Sequence, residues 1–121
     1  MGFTFAFVEI FLVALYLAAP LLLSFCVLII LVGQIVGRIE GWSGFDAAYW
    51  SFITALTVGY GDIRPSKRSA KTLSVAIAFT GIMFTGIVVA LTLHAASKAF
   101  ESYVDVEKVI EIEEKRQLKL R

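Results

Sequence analysis

Hydrophobic positions along the chain fall into two long uncharged runs. One extends from Ile10 to Gly37 and the other from Thr72 to Ser97, with no Asp, Glu, Lys or Arg in either. A bilayer crossing takes about 20 apolar residues, so each run is long enough to span one as a helix. Between them, Phe45 to Leu56 (FDAAYWSFITAL) is a third apolar stretch, aromatic-rich and free of proline. It suits a helix of about three turns with Asp46 near its positive end, but it is too short to cross. Such a helix must enter and turn back, which lipid permits only where other protein buries the non-helical return. The pattern predicts an all-α membrane protein with two transmembrane helices and a short re-entrant helix followed by a loop.

Punctuation residues divide this pattern further. Pro20 interrupts the first run. Residues 1–18 are read as an interfacial helix and 19–37 as the outer membrane helix, with Pro20 in its first turn, where few backbone hydrogen bonds are lost. The alternative is one long, kinked or tilted helix through Pro20. Arg38 to Gly44 (RIEGWSG) is a polar exit with an aromatic anchor at Trp42. Residues 45–56 form the re-entrant helix, 57–62 the return loop, and Pro65 a turn. The inner helix covers 70–100, where small residues such as Gly81, Gly86, Ala90 and Ala95 allow close packing. Residues 19–100 thus form a two-helix membrane domain. Residues 101–121 mix both signs of charge with Val104, Val109, Ile110 and Ile112, which reads as a cytoplasmic helical tail.

Composition narrows the class. Of 121 residues 59% are hydrophobic and 17% charged, with a net charge of +1, and the basic residues form no stripe interleaved with aromatics. This points away from nucleic acid. Cys26 is alone in the first run and reads as a small buried hydrophobe. With one His and one Cys, a structural zinc or iron–sulfur site has no ligand set. The first run lacks a basic n-region and exceeds a signal peptide's apolar core. No activated nucleophile, ligand cluster or carboxylate pair lies in the spans, so an enzyme is not indicated.

The chemistry is concentrated in Thr57-Val58-Gly59-Tyr60-Gly61-Asp62. This TVGYGD resembles the signature of the potassium channel family, whose TVGYG loop is the standard example of a carbonyl-lined selectivity filter. The resemblance extends over roughly Leu21 to Phe100: YWSFITALTVGYGD is similar to a whole pore helix and filter, and Ile39-Glu40-Gly41 to the same segment of calcium-gated archaeal two-helix channels. A dehydrating ion needs successive carbonyls turned one way, whereas a strand alternates them. Positive φ achieves this, and glycine adopts it without steric cost, which explains Gly59 and Gly61. Potassium sites are expected at the carbonyls of Thr57, Val58, Gly59 and Tyr60, the Thr57 hydroxyl closing the innermost. Because one chain would leave these carbonyls facing lipid, the motif implies a homotetramer in a bilayer, with K+ as the permeant ion and no cofactor.

The resemblance also implies roles around the filter. Tyr60 separates potassium-selective members from non-selective cation channels, the rival reading, in which an Asp stands there. Its ring is expected to pack on the pore helix with its hydroxyl near Trp50 or Thr54. Tyr49 and Asp62 complete the support, and Tyr49 and Trp50 also suit an interfacial aromatic belt. Ile53 departs from relatives that carry a glutamate there, which deprives Asp62 of a partner. Gly81 falls at the family's hinge glycine, with Gly86 five residues on. Closed helices would converge at an inner gate from Leu93 to Ser97, including His94. Four His94 side chains could form a proton sensor, though a headgroup position is the simpler reading. Glu9 reads as interfacial.

Orientation follows the re-entrant geometry. Both termini are placed in the cytoplasm of a multi-pass plasma-membrane protein, although Arg64, Lys67, Arg68 and Lys71 then lie outside, against the positive-inside tendency. That cationic rim would weaken binding of basic peptide blockers. No helix carries Arg or Lys at every third residue, so no voltage sensor is evident. Any regulatory domain would lie outside this chain. A non-transporting scaffold is the remaining alternative, and it fails to account for the TV and the pore helix preceding GYGD.

Overall fold

The computed structural model describes residues 2–121. Three helices occur in order: α1, Gly2–Glu40; α2, Gly44–Ala55; and α3, Arg68–Lys119, with no strand among the described residues. Helices α1 and α3 are each long and apolar enough to cross a membrane. The sequence division at residues 18 and 19 is not a break in the backbone: α1 is continuous through Pro20. Proline removes one intrahelical donor, and a long apolar helix tolerates that loss when its neighbouring turns stay bonded. Helix α3 begins two residues before the expected start and continues past residue 100 into the charged tail. No proline or glycine follows Gly86 to stop it.

Two compact units divide the described residues: Ala18–Val88, and the residues up to Leu17 together with Val89–Arg121. In the first, Ile29 and Val36 of α1, Trp50 and Ala55 of α2, and Ala70 and Ile77 of α3 form one buried cluster. Helix α2 meets its neighbours through small side chains. Ala47, Ser51 and Ala55, four residues apart, are each at most 1% exposed. Gly33 and Gly37 of α1 face them, and a Cβ on either would come within 2.5 Å of Ser51 Cβ or Ala47 Cβ, respectively. This is the small-xxx-small packing of membrane helices, in which missing side chains let backbones approach.

Both ends of α2 are fastened. Ser43 is its N-cap, accepting the Asp46 N–H at 3.2 Å, and Gln34 Nε2 donates to Gly44 O at 2.9 Å. The cap satisfies an amide donor that the first helical turn cannot. Gly41, at φ +78°, makes the bend out of α1, and the Trp42 N–H bonds to Gly37 O at 2.8 Å. The Trp42 ring stands edge-on to Trp50 with centroids 5.2 Å apart.

In the second unit, Ala95 and Ala99 of α3 are fully buried. A cavity of about 270 Å³ there is lined by Glu9, Ile10, Val13, Ala14, Leu17 and His94.

Candidate functional site

The C-terminus of α2 and the loop after it form one hydrogen-bonded object. Leu56 closes the helix, with its N–H on Phe52 O. The Thr57 N–H then bonds to Thr54 O at 3.1 Å, and the Val58 and Gly59 N–H groups both bond to Ile53 O, at 3.0 and 3.1 Å. Paired bonds from the first and second residues beyond a helix, with the first left-handed, constitute a Schellman cap. Thr57 is that residue, at φ +62°. Glycine usually takes this position, and a β-branched side chain there is a conformational outlier of the sort found at functional sites. The sequence singled out Gly59 and Gly61 but not Thr57, because nothing in the residue type announces a positive φ.

Gly59 and Gly61 follow at φ +56° and +81°. Positive φ therefore recurs at every second residue of Thr57–Gly61, with Val58 and Tyr60 negative between them. None of the Thr57, Val58, Gly59, Tyr60 or Gly61 carbonyls accepts a bond from the chain, among the described residues. The loop is exposed, Val58 by 48% and Tyr60 by 71%. An exposed row of carbonyls without internal donors is available to cations from outside the chain.

A cavity of about 220 Å³ lies beside the loop, lined by Tyr49, Trp50, Ile53, Thr54, Tyr60 and Asp62 among others. The residues named for filter support therefore do come together. Within this shared cavity the contacts are specific. Trp50 is 5% exposed and spends its ring on Trp42. Among the described residues, the Tyr60 hydroxyl has no hydrogen bond to Trp50 or Thr54. Asp62, beside Ile53, has the Tyr49 phenol one turn earlier on α2 as its neighbour. Partial burial first, then that carboxylate, raises the Tyr49 pKa above its ordinary value of 10.0.

Gly81 has a specific neighbour. A Cβ there would run into the Ala55 carbonyl and approach Ala55 Cα to 2.5 Å. The absence of a side chain at Gly81 is thus explained by backbone contact with the last turn of α2, two residues before Thr57. Gly86 has no atom within 4 Å of the corresponding position. Leu93, His94 and Ser97 lie on α3 in the second unit and are exposed. His94 there shares its cavity with Glu9. Gly33, Gly37 and Ala55 escaped sequence reasoning, although the four-residue spacing of Gly33 and Gly37 was a legible signal.

Comparison with known proteins gives a family match to "Ion channel" over residues 3–98. The chain is 44% identical over 50 residues to TWiK family of potassium channels protein 7 of Caenorhabditis elegans, covering 36% of this chain and 9% of that one. It is 48% identical over 40 residues to a voltage-gated potassium channel of Aeropyrum pernix, covering 33% and 14%. With the human voltage-gated potassium channel regulatory subunit KCNF1 it shares 38% identity over 73 residues, or 60% and 14%. The chain thus spans about a tenth to a seventh of these relatives' lengths. No solved structure matches it.

Proposed function

Taking as premise that this chain belongs to the ion channel family matched over residues 3–98, we propose that it is the pore-forming subunit of a potassium-selective channel. Four copies would surround one axis, each contributing Thr57 to Gly61. The observation that carries this reading is the recurrence of positive φ at Thr57, Gly59 and Gly61. That alternation suppresses the strand's alternate carbonyl directions and supports a row of oxygens turned to one side. Potassium exchanges its hydration shell for such oxygens with little reorganisation, since they are held in place by the cap on Ile53 and Thr54.

Thr57, Val58, Gly59 and Tyr60 supply the carbonyls in this reading, with Tyr49, Trp50, Thr54 and Asp62 behind them. Tyr60, largely exposed within one chain, would find its packing partner in an adjacent copy. The channel passes potassium down its gradient without catalysis or cofactor. Gly86, where an added Cβ would meet nothing within 4 Å, is the better hinge candidate of the two glycines, and Leu93, His94 and Ser97 would line the inner entrance. We place the chain in the plasma membrane with both termini cytoplasmic, and regulation in a domain beyond it. Flux from liposomes carrying the purified protein tests the proposal: potassium passes, sodium does not, and barium blocks. Equal sodium and potassium flux would instead make it a non-selective cation channel, and no flux would leave no transport role.

A further inference from the structure

Glu9 is the only charged side chain among residues 2–37. Glu9, Val13 and Leu17 recur at every fourth residue of α1, and Ile10 and Ala14 flank them on the same face of the helix. These five residues and His94 of α3 line one cavity of about 270 Å³. All six lie in the unit made of the residues up to Leu17 and Val89–Arg121. Next to His94, Ala95 is fully buried, as is Ala99 four residues on. Small side chains at that spacing let helices pass closely. Among the described residues the Glu9 carboxylate has no hydrogen bond and no ion pair, and no Lys or Arg lines its cavity.

An unpaired carboxylate bordered by four aliphatic side chains is unfavourable beside lipid. A cation that carries an apolar body answers both parts of the cavity. Its ammonium group meets Glu9, and its hydrocarbon covers Ile10, Val13, Ala14 and Leu17. The neutral imidazole of His94 has a ring nitrogen that accepts a further ammonium N–H. Ligand pockets typically enclose about 300–1,000 Å³, so this one, just below that range, limits the guest to a single ring or a short chain. A zwitterionic lipid headgroup suits it poorly, since its phosphate would bring a second anion to Glu9 with no Lys or Arg in the lining to receive it. We propose that this cavity binds a small monocationic amphiphile, an aryl- or alkylammonium, with Glu9 as its anionic partner. The site shares no residue with Thr57–Asp62, so it stands or falls apart from the reading of that loop.

Saturation-transfer NMR titration of the purified protein in detergent tests the site, with the signal of protein-free micelles subtracted. Phenethylammonium is the probe, and phenethyl alcohol, of the same shape but neutral, is its comparison. The parent should bind the ammonium about tenfold more tightly than the alcohol, as one charge-assisted hydrogen bond would give. Glu9→Gln should abolish that preference and leave alcohol binding unchanged, whereas Glu9→Asp, which keeps the charge, should retain part of it. Val13→Trp, which fills the cavity from a half-exposed position, should exclude both guests. Equal binding of the two probes by the parent overturns the proposal, and so does an ammonium preference that survives Glu9→Gln. Where Glu9→Gln does not fold, Val13→Trp decides: loss of the ammonium signal supports the site and an undiminished signal rejects it. Phosphatidylethanolamine added to the micelles should leave the ammonium bound. Displacement by an equal amount of that lipid would make the occupant a zwitterionic lipid and reject the assignment.

Discussion

Within Ala18–Val88, polar groups bond between elements: Gln34 to Gly44, and Glu40 to Ser66 and Lys67. Small residues there are buried at helix contacts. In the other unit an ion pair joins Lys115 to Glu111, one turn apart on the same helix. Val109, Ile112 and Leu118 are 64 to 68% exposed. The first region has its shape written into one chain, down to the φ angles of the loop. The second presents apolar side chains that a single copy leaves uncovered, so its arrangement depends on what surrounds it. Precision sits around the Thr57–Asp62 loop, and dependence on neighbours sits in the helical ends.

The most damaging change to the well-defined region is Gly59→Ala. Forcing an L-residue to φ +56° costs about 1–2 kcal/mol per copy, repeated in every subunit. Potassium flux should be lost while assembly, followed by size-exclusion chromatography, persists. Retained flux would show that the loop's backbone geometry is not what conducts.

Gly81→Ala and Gly86→Ala should move in opposite directions. The first drives a methyl into the Ala55 backbone, an overpacking that costs about 1–3 kcal/mol. The second meets nothing and gains up to about 1 kcal/mol of helix propensity. Thermal unfolding in detergent reads the difference, and parallel shifts would remove the Ala55 contact from the account of Gly81. If α3 bends at Gly86, Gly86→Ala should also lower open probability in single-channel records, despite its greater stability.

Acid on the Glu40 side should have a smaller effect. A carboxyl whose folded pKa is depressed contributes stability that is complete above its unfolded pKa and disappears as pH falls through the folded value. The Glu40 contribution is therefore constant from neutrality to above its ordinary 4.5 and declines below it. Lys67 is the charged side chain acting on Glu40. Thermal unfolding in detergent measured against pH should show stability falling in that acidic window in the parent and less so in Glu40→Gln.

The smallest effect belongs to the tail. Lys115→Ala breaks an ion pair whose side chains are 71% and 62% exposed, worth about 0.3–0.5 kcal/mol for such a helical pair. Denaturation at low and high salt should barely separate it from the parent. A large loss would show that this helix is packed against a partner, and would narrow the contrast between the regions.

Sequence reading reached the parts of the molecule that depend on local chemistry. Apolar run lengths specified two crossing helices, residues 45–56 specified the short helix between them, and Gly59 and Gly61 disclosed their positive φ because glycine has no Cβ. Asp46 marked the start of α2 in the sequence, whereas the Ser43 cap that accepts its N–H passed unremarked. Pro20 misled about continuity, since a proline's lost donor is a local fact while its tolerance depends on the surrounding turns. What only tertiary structure decided is of longer range. Thr57 takes a left-handed backbone because two carbonyls of α2 demand it, Gly81 is small because Ala55 lies against it, and Glu40 meets amides 26 and 27 residues away. Residue type and spacing constrain bonds along the chain, but the partner of a buried glycine or an exposed carboxylate is chosen by packing between helices, to which no local pattern has access.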